Sequence, residues 1–280
     1  MVSSAGAATP GTLHIVSTPI GNLGDLSSRA VEVLGQVAAI LAEDTRHSLT
    51  LTHKHGIRTP LVAHHEHNEA RTVGGLVARL LAGESLALIS DAGTPLLSDP
   101  GARLVRAAID AGIPVSPVPG ASALLAALAG AGLDTERFTF FGFLARKGKE
   151  RSAAITEIAA LAHTAVLYEA PARTGDTLQA LADAGAGLRR AVVARELTKQ
   201  FEEFRRGTVA ELAAYYQEHE ARGEIVVVVE GAPLVPVDEA TLRLRASALR
   251  AEGKSSRDVV QALMESTGAP RNLAYRIAHE

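Results

Sequence analysis

Three apolar runs in the first half of the chain each end in a loop of small residues that opens a helical pattern. They are 13–17 running into Ser17-Thr-Pro-Ile-Gly-Asn-Leu-Gly-Asp25, 86–90 running into Ser90-Asp-Ala-Gly-Thr-Pro95, and 114–118 running into Val118-Pro-Gly-Ala-Ser-Ala123. Runs this short and this apolar read as strands covered on both faces, and open α/β sheets bind ligands beyond the carboxyl ends of such strands. Glycines and small side chains leave backbone N–H groups bare there, and Asp91 adds a carboxylate. The three loops are expected to converge on the rim of a small-molecule pocket. Asp91 has a second reading as a helix cap, given its turn context.

The same alternation continues. Strands are expected at 13–17, 38–42, 61–63, 86–90 and 114–118, with helices at 26–35, 69–81 and 102–111, which indicates a mostly parallel sheet with crossover helices. A second set follows, with strands at 138–143, 165–169, 191–196 and 224–230 and helices near 149–161, 173–184 and 209–218. The fold class is therefore α/β: two α/β domains with a cleft between them, plus a small C-terminal helical domain. The expected division is a disordered leader over 1–11, an N-terminal α/β domain over 12–130, a C-terminal α/β domain over 131–235 and a helical tail over 236–280. The glycine-bearing stretch 130–137 reads as the hinge, and Gly231-Ala-Pro-Leu-Val-Pro236 as the break before the tail.

A length of 280 residues with 47% hydrophobic content is ample for two packed cores. The absence of cysteine excludes a disulfide framework. The first residues lack the basic-then-apolar pattern of a secretion signal, and the longest apolar runs are strand-length or carry polar breaks. Neither export nor membrane association is expected, and a cytoplasmic location is the default. A formal net charge of −3 argues against a uniformly basic nucleic-acid binder, so any RNA contact must be local.

Six segments together resemble a known family: Ser17-Thr-Pro-Ile-Gly-Asn-Leu-Gly-Asp25, Ala42-Glu-Asp-Thr-Arg46, His65-Glu-His-Asn-Glu69, Ser90-Asp-Ala-Gly-Thr-Pro95, Pro119-Gly-Ala-Ser122 and Ala194-Arg-Glu-Leu-Thr-Lys199. In this order they are similar to the signature set of the ribosomal RNA small subunit methyltransferase I family. That family sits in the tetrapyrrole methylase superfamily, the class III S-adenosylmethionine-dependent methyltransferases. The resemblance spans about residues 13–231. It implies 2′-O-methylation of cytidine 1402 in 16S ribosomal RNA of the small subunit, with S-adenosyl-L-methionine as cofactor and a homodimeric state.

Carried onto this sequence, the resemblance places the cofactor between the domains. Pro19, Ile20, Gly21, Asp91, Ala92, Gly93, Thr94, Gly120, Ser122 and Ala123 would form one side, and Tyr168, Ala194 and Leu197 the other. The ribose hydroxyl is a weak nucleophile near neutral pH and benefits from a base or from a cation beside the developing alkoxide. Family-motif candidates are Glu43, Asp44, Arg46, Glu169, Arg195, Glu196 and Lys199, with Lys199 and Glu196 first and Arg46 and Glu43 next. Each has a structural alternative, as an ion-paired turn at 43–46 or as a network beneath the cleft.

The histidines around 53–67 do not fit metal spacing, because 64–67 on a strand end sends neighbours to opposite faces, and no metal site is expected. The resemblance instead puts His65, His67, Asn68 and Glu69 in a polar loop near the substrate entrance, leaving His53, His55 and His64 on the surface. For RNA, the tail carries +1 against −4 for the rest. Two apolar helical stripes joined by Gly268-Ala-Pro270 resemble a helix-turn-helix unit, placing Arg271, Asn272, Tyr275 and Arg276 on its second helix. A packing appendage or dimer clasp is the alternative. The cluster Arg146-Lys-Gly-Lys-Glu-Arg151 supplies Arg146, Lys147 and Lys149, and Arg189, Arg190, Arg205 and Arg206 add phosphate-contact candidates. Two further functional readings stand beside the first: a methylase of a tetrapyrrole or other small molecule, and a non-catalytic RNA-binding protein that keeps the cofactor pocket.

Overall fold

Alternating apolar residues on short strands dictate two covered sheets. In the computed structural model, which describes residues 9–233 and 238–280, the first sheet is formed by β1 (Leu13–Val16), β2 (Ala39–Ala42), β3 (Leu61–Ala63), β4 (Leu86–Leu88) and β5 (Val115–Val118). All its pairings are parallel and the order is β3-β2-β4-β1-β5, with Leu13 opposite both Leu86 and Val115. Strand periodicity sends Val16, Ile40, Ala42, Ala87 and Ile89 to one face, where Ala30 and Leu34 of α1 (Ser28–Gln36) and Leu51 of α2 (Thr45–Lys54) pack on them. Leu13, Ile15, Leu41, Leu86 and Leu88 go to the other, under Leu76 and Leu80 of α3 (Glu66–Leu81) and Leu104 and Ala108 of α4 (Ala102–Asp110).

The second sheet runs β6-β7-β10-β8-β9, from β6 (Phe138–Phe143), β7 (Thr164–Glu169), β8 (Arg190–Arg195), β9 (Glu203–Thr208) and β10 (Ile225–Val229). Only β6 and β7 pair in parallel; the other pairings are antiparallel. One face carries α6 (Lys149–Ala160), α7 (Thr174–Leu181) and α8 (Val209–Glu218). The opposite face is covered by α5 (Ala123–Ala131), whose Leu124, Ala127, Leu128 and Ala131 pack on Val166, Val192 and Val226 together with Ile20 from the loop after β1. Helix α5 begins at the end of the first sheet and is spent on the second. The division expected at 130/131 cuts the chain at the end of this helix, whereas its packing joins the two sheets.

Two elements escape the sequence pattern. β9 has one large apolar residue in Glu-Phe-Arg-Arg-Gly-Thr and exists as an edge strand paired with β8. α2 is rich in threonine and histidine and was assigned no element from the sequence; Ser48 and Thr52 are buried beside Leu51. At the N-terminus, residues 1–8 of the expected leader lie outside the described residues. Gly11 is not leader-like: it is buried and donates to the Leu80 carbonyl at 2.8 Å. A Cβ there would lie 2.1 Å from the Glu84 carbonyl oxygen, so order precedes Thr12. The break at 231–236 falls partly outside the described residues.

The tail is three helices, α9 (Glu239–Ala251), α10 (Ser256–Thr267) and α11 (Arg271–His279), with a core of its own built on Leu242, Val259, Leu263 and Ile277. Gly268 closes α10 in the left-handed conformation that glycine adopts without strain, and Pro270 precedes α11. No helix among the described residues is long and apolar enough to cross a membrane.

Leu128, buried where α5 meets the second sheet, sets the first test. Leu128→Ala is expected to lower the unfolding free energy by about 2–5 kcal/mol in urea denaturation, the usual cost of a truncated core leucine. A loss below about 1 kcal/mol would show that α5 is not a structural joint.

Candidate active site

The strand order places the site. From β1 the chain crosses β4 to reach β2, and from β4 it crosses β1 to reach β5, so the loops after the adjacent strands β1 and β4 leave in opposite directions. That reversal opens a crevice at their carboxyl ends. Across it Thr18 N–H donates to Gly93 O at 2.8 Å and Gly93 N–H to Thr18 O at 3.1 Å. Gly93 holds φ at +83°, and a Cβ there would press within 3.2 Å of Ile20 Cγ2. Thr94 Oγ1 donates to Ala121 O at 3.1 Å and lies 3.1 Å from Ser17 Oγ, which ties the loop after β5 to the other two. The three expected loops do meet.

Two cavities open there and share Ile20, Ala92 and Glu224. The first, about 310 Å³, lies between the sheets and takes in Ile20, Gly93, Thr94 and Ala123 from one side and Phe143, Tyr168 and Val226 from the other. The second, about 430 Å³, is lined by Pro19, Gly21, His47, Asp91 and Lys199 among others. Tyr168 packs edge-on against Phe140 at 4.9 Å between ring centroids and lies 5.5 Å from Phe143, which is exposed at the mouth. Burial pushes the Tyr168 phenol up.

Carboxylates crowd this cleft. Burial, then repulsion from Glu43 and Asp91, pushes Asp99 up to about 6, with a hydrogen bond from Ser90 opposing. Burial followed by the Asp91 charge also raises Glu43, and His65 opposes that shift. Asp91 caps no helix. Its Oδ1 accepts the N–H of Asp44 at 3.1 Å, which fastens the β2–α2 turn to the loop after β4. Asp99, Phe143 and Glu224 were not singled out as site residues from the sequence. Asp99 stands in the same loop as Asp91, but only the path of the chain through Leu96 and Ser98, both at positive φ, turns it into the cavity.

The leading catalytic candidates are committed to each other. Lys199 Nζ lies 2.9 Å from Glu196 Oε1 and 3.2 Å from Glu224 Oε2, and Glu224 N–H donates to the same Glu196 oxygen at 3.1 Å. Burial alone would lower the Lys199 ammonium, but the Glu196 hydrogen bond and the Glu224 charge hold it above its ordinary value. Lys199 in turn holds Glu196 below the usual carboxylate range. A lysine kept protonated accepts no proton, and an ionised carboxylate already taking two donors is a weak base. The Lys199 stem also crosses Gly21, where a Cβ would lie 2.4 Å from Lys199 Cγ, so the ion triad braces the β1 loop against the second domain.

Other expectations resolve into structural roles. Glu169 is fully buried and accepts from Arg173 Nε at 2.7 Å, Thr177 Oγ1 at 2.6 Å and Ala170 N–H at 2.8 Å. Arg195 pairs with Glu203 at 2.6 Å, and exposed Arg46 with Asp44 at 3.2 Å. Gly120, Ser122, Ala194 and Leu197 line neither cavity. Gly120 packs on Ser17, whose Cβ would lie 2.9 Å from an added Cβ, and Ser122 caps α5. Ala194 and Leu197 lie in the core beneath the cleft.

The polar loop expected at 65–69 is instead the start of α3. Asn68 accepts from His65 N–H at 2.9 Å and donates to Ala63 O at 3.0 Å, while buried Glu69 accepts the N–H of Arg103 at 3.0 Å. Helix capping thus takes two residues assigned to RNA, and the rings of His65 and His67 stand 6.0 Å apart. His64 is buried, not on the surface; burial lowers its pKa and its Nδ1 lies 3.2 Å from Thr72 Oγ1. Arg146, Lys147 and Lys149 are exposed beyond β6. Arg271 is exposed at the start of α11, whereas Arg276 pairs with Glu239 inside the tail. Arg189 is buried and donates to Ile158 O at 2.9 Å, so it makes no phosphate contact.

A cleft between a parallel and a mixed sheet, floored by small residues, defines a two-domain methylase architecture. The family model for Tetrapyrrole (Corrin/Porphyrin) Methylases matches residues 12–213. The solved structure of uroporphyrin-III C-methyl transferase from Thermus thermophilus complexed with S-adenyl homocysteine is similar in fold, with a TM-score of 0.56 at 18% identity over 79% of this chain and 97% of that one. Ribosomal RNA small subunit methyltransferase I of Xylella fastidiosa is 49% identical over 96% of this chain and 99% of its own length. The protein of that name from Pseudomonas aeruginosa is 46% identical over 96% of each. The chain belongs to the ribosomal RNA small subunit methyltransferase I family of tetrapyrrole methylases.

The raised pKa of Asp99 has a thermodynamic consequence. Below its ordinary value of 3.8 the carboxyl is neutral folded or unfolded; above that the unfolded chain ionises first, and the penalty grows until the folded group ionises near 6. Stability from this group is lost as pH rises. Asp99→Asn should therefore melt above the wild type at about pH 7.5, with the gap closing near pH 4. An equal gap at both values in thermal unfolding would refute the shift.

Proposed function

We propose that the protein transfers a methyl group from S-adenosylmethionine to the 2′-hydroxyl of cytidine 1402 in 16S ribosomal RNA of the small subunit. The supporting observation is the cleft at the strand-order reversal, lined from both domains by small and aromatic residues, in a chain whose curated relatives carry that small-subunit methyltransferase name over nearly their full length. A cavity of about 310 Å³ that shares lining residues with a second of about 430 Å³ is in the range of cofactor sites. Ile20, Thr94, Ala123, Tyr168 and Val226 would hold the cofactor, with Gly93 leaving room for close backbone approach. When bound, the cofactor supplies a methyl carbon activated by a positive sulfonium. Glu43, Asp91 and Asp99 form an acidic surround suited to a cationic donor.

The residues that remain free for RNA lie at the rim. Arg146, Lys147 and Lys149 follow exposed Phe143 at the cavity mouth, and His65 and His67 start α3. In the tail, a groove of about 550 Å³ between α10 and α11 is lined by Arg257, Arg271 and Tyr275. These supply cations and one ring face for a phosphate backbone and an unstacked base. A homodimer and a cytoplasmic location belong to the same reading.

Incubation of labelled S-adenosylmethionine with small subunits from a strain lacking this methyl group should label 16S RNA at cytidine 1402. The linkage there should become resistant to alkali, because a methylated 2′-oxygen cannot attack its phosphate. Label on a base, or none, would refute the reading. Arg257→Glu with Arg271→Glu should weaken RNA binding and reduce the slope of log affinity against log salt by about 1 to 2, with cofactor affinity unchanged. An unchanged slope would make the tail a packing element.

A further inference from the structure

Resting on that reading, we propose that Asp99 accepts the proton of the ribose hydroxyl as it is methylated. Among the described carboxylates lining the inter-sheet cavity, Asp99 is the one with no cationic partner. Glu169 is bound by Arg173 and Thr177, Glu224 pairs with Lys199, and the Tyr168 phenol is held neutral by burial. The groups acting on Asp99 are Glu43 from the end of β2, Asp91 and Ser90 from the end of β4, and none is a cation. Further out, His65 and Glu66 of the α3 start act on Glu43.

The segment that carries Asp99 is strained and anchored. Leu96 at φ 76° and Ser98 at φ 70° adopt left-handed conformations that side chains other than glycine resist. Ser98 Oγ lies 3.0 Å from where a Cβ on Gly142 would stand, so the segment docks on the irregular end of β6 in the second domain. Straightening either residue would move Asp99 relative to Phe143 and Tyr168. Strain kept at a ligand-facing carboxylate points to a positional demand on that carboxylate.

The step balances. The hydroxyl oxygen forms its bond to the methyl carbon while the bond from that carbon to sulfur breaks, its electron pair remaining on sulfur as a neutral thioether. The hydroxyl proton passes to Asp99, which ends neutral and returns it to solvent after product release. One positive and one negative charge disappear together, so no lone charge is left in the cleft. Lys199 and Glu196 cannot take this part, being locked to each other.

The test uses the full chain with small subunits in single turnovers between about pH 5 and pH 8. The wild-type rate should fall on the acid side of a midpoint below the ligand-free value of about 6, since the bound cation favours the ionised carboxyl, and Asp99→Asn should slow transfer by about a hundredfold and abolish that limb. Affinity for S-adenosylhomocysteine should stay within about threefold, and Asp99→Glu should restore part of the rate. Calorimetry gives a readout apart from activity. Near pH 6 a cationic ligand should drive a proton off Asp99, so S-adenosylmethionine binding should release a proton that S-adenosylhomocysteine binding and Asp99→Asn do not. A near-wild-type rate in Asp99→Asn, a persistent acid limb, or a cofactor affinity loss large enough to explain the rate would each overturn the assignment. If the wild type itself transfers no methyl to small subunits, the substrate reading fails, while the proton-release comparison still reports on Asp99.

Discussion

Two backbone hydrogen bonds between Thr18 and Gly93 hold the cleft open in its working shape. They join the loops that leave the adjacent strands β1 and β4 in opposite directions. Without them, nothing in the sheet ladder would fix Ile20 and Ala92, which belong to both cavities. Each bond is worth only about 0.5–1.5 kcal/mol net, so their importance is positional. Gly93 is required because φ of +83° turns its carbonyl to Thr18 while leaving Ile20 room. Ser17, Thr94 and Ala121 extend the lacing to the third loop, and Ala121 leads directly into α5.

Helix α5 carries that constraint into the second domain. Its Leu124, Ala127, Leu128 and Ala131 are covered by the loop after β1 and by β7, β8, β9 and β10, while Leu125 and Ala129 on the far side are exposed. Gly130 near its end admits Phe204, whose ring would lie 2.4 Å from an added Cβ. On the opposite side of the cleft, Lys199 crosses Gly21 and pairs with Glu196 and Glu224. The two domains are thus held by an apolar joint and an ionic brace, with the inter-sheet cavity between them.

What could be read from the sequence follows from what each feature depends on. The strands of the first sheet, the three loops and the three tail helices are local in origin, set by period and by glycine placement, and all were expected. β9 depends on pairing with β8, and α2 depends on burying Ser48 and Thr52 under neighbouring loops, so neither announces itself in composition. The site divides in the same way. Ile20, Gly93, Thr94 and Tyr168 were expected in the cavity and line it. The partners of Lys199, Glu196 and Asn68 could not be read from the sequence, because Glu224 is distant along the chain and the contacts of Asn68 belong to a helix cap. Asp99 was overlooked because a left-handed backbone at Leu96 and Ser98 leaves no trace in residue type.

The charge layout separates two demands that a methyl donor and an RNA place on one cleft. Acidic groups sit inward: Asp99 lines the inter-sheet cavity and Asp91 the second, and burial with mutual repulsion makes Glu43 and Asp99 bind protons more tightly than ordinary carboxylates. Basic groups are set at the rim, where Arg146, Lys147 and Lys149 are exposed and free to meet phosphates. Reversing this order would put phosphate repulsion at the entrance and a stranded cation at the donor. An overall charge of −3 is compatible with a polyanionic substrate under this arrangement, because over a Debye length of about 8 Å the approaching backbone senses the local rim and not the sum. A deep carboxylate that repels phosphate also discourages the RNA backbone from entering the donor cavity, leaving the reacting sugar as the part that fits. Asp99, lining the inter-sheet cavity behind the cationic rim, is placed to add to that repulsion of phosphate.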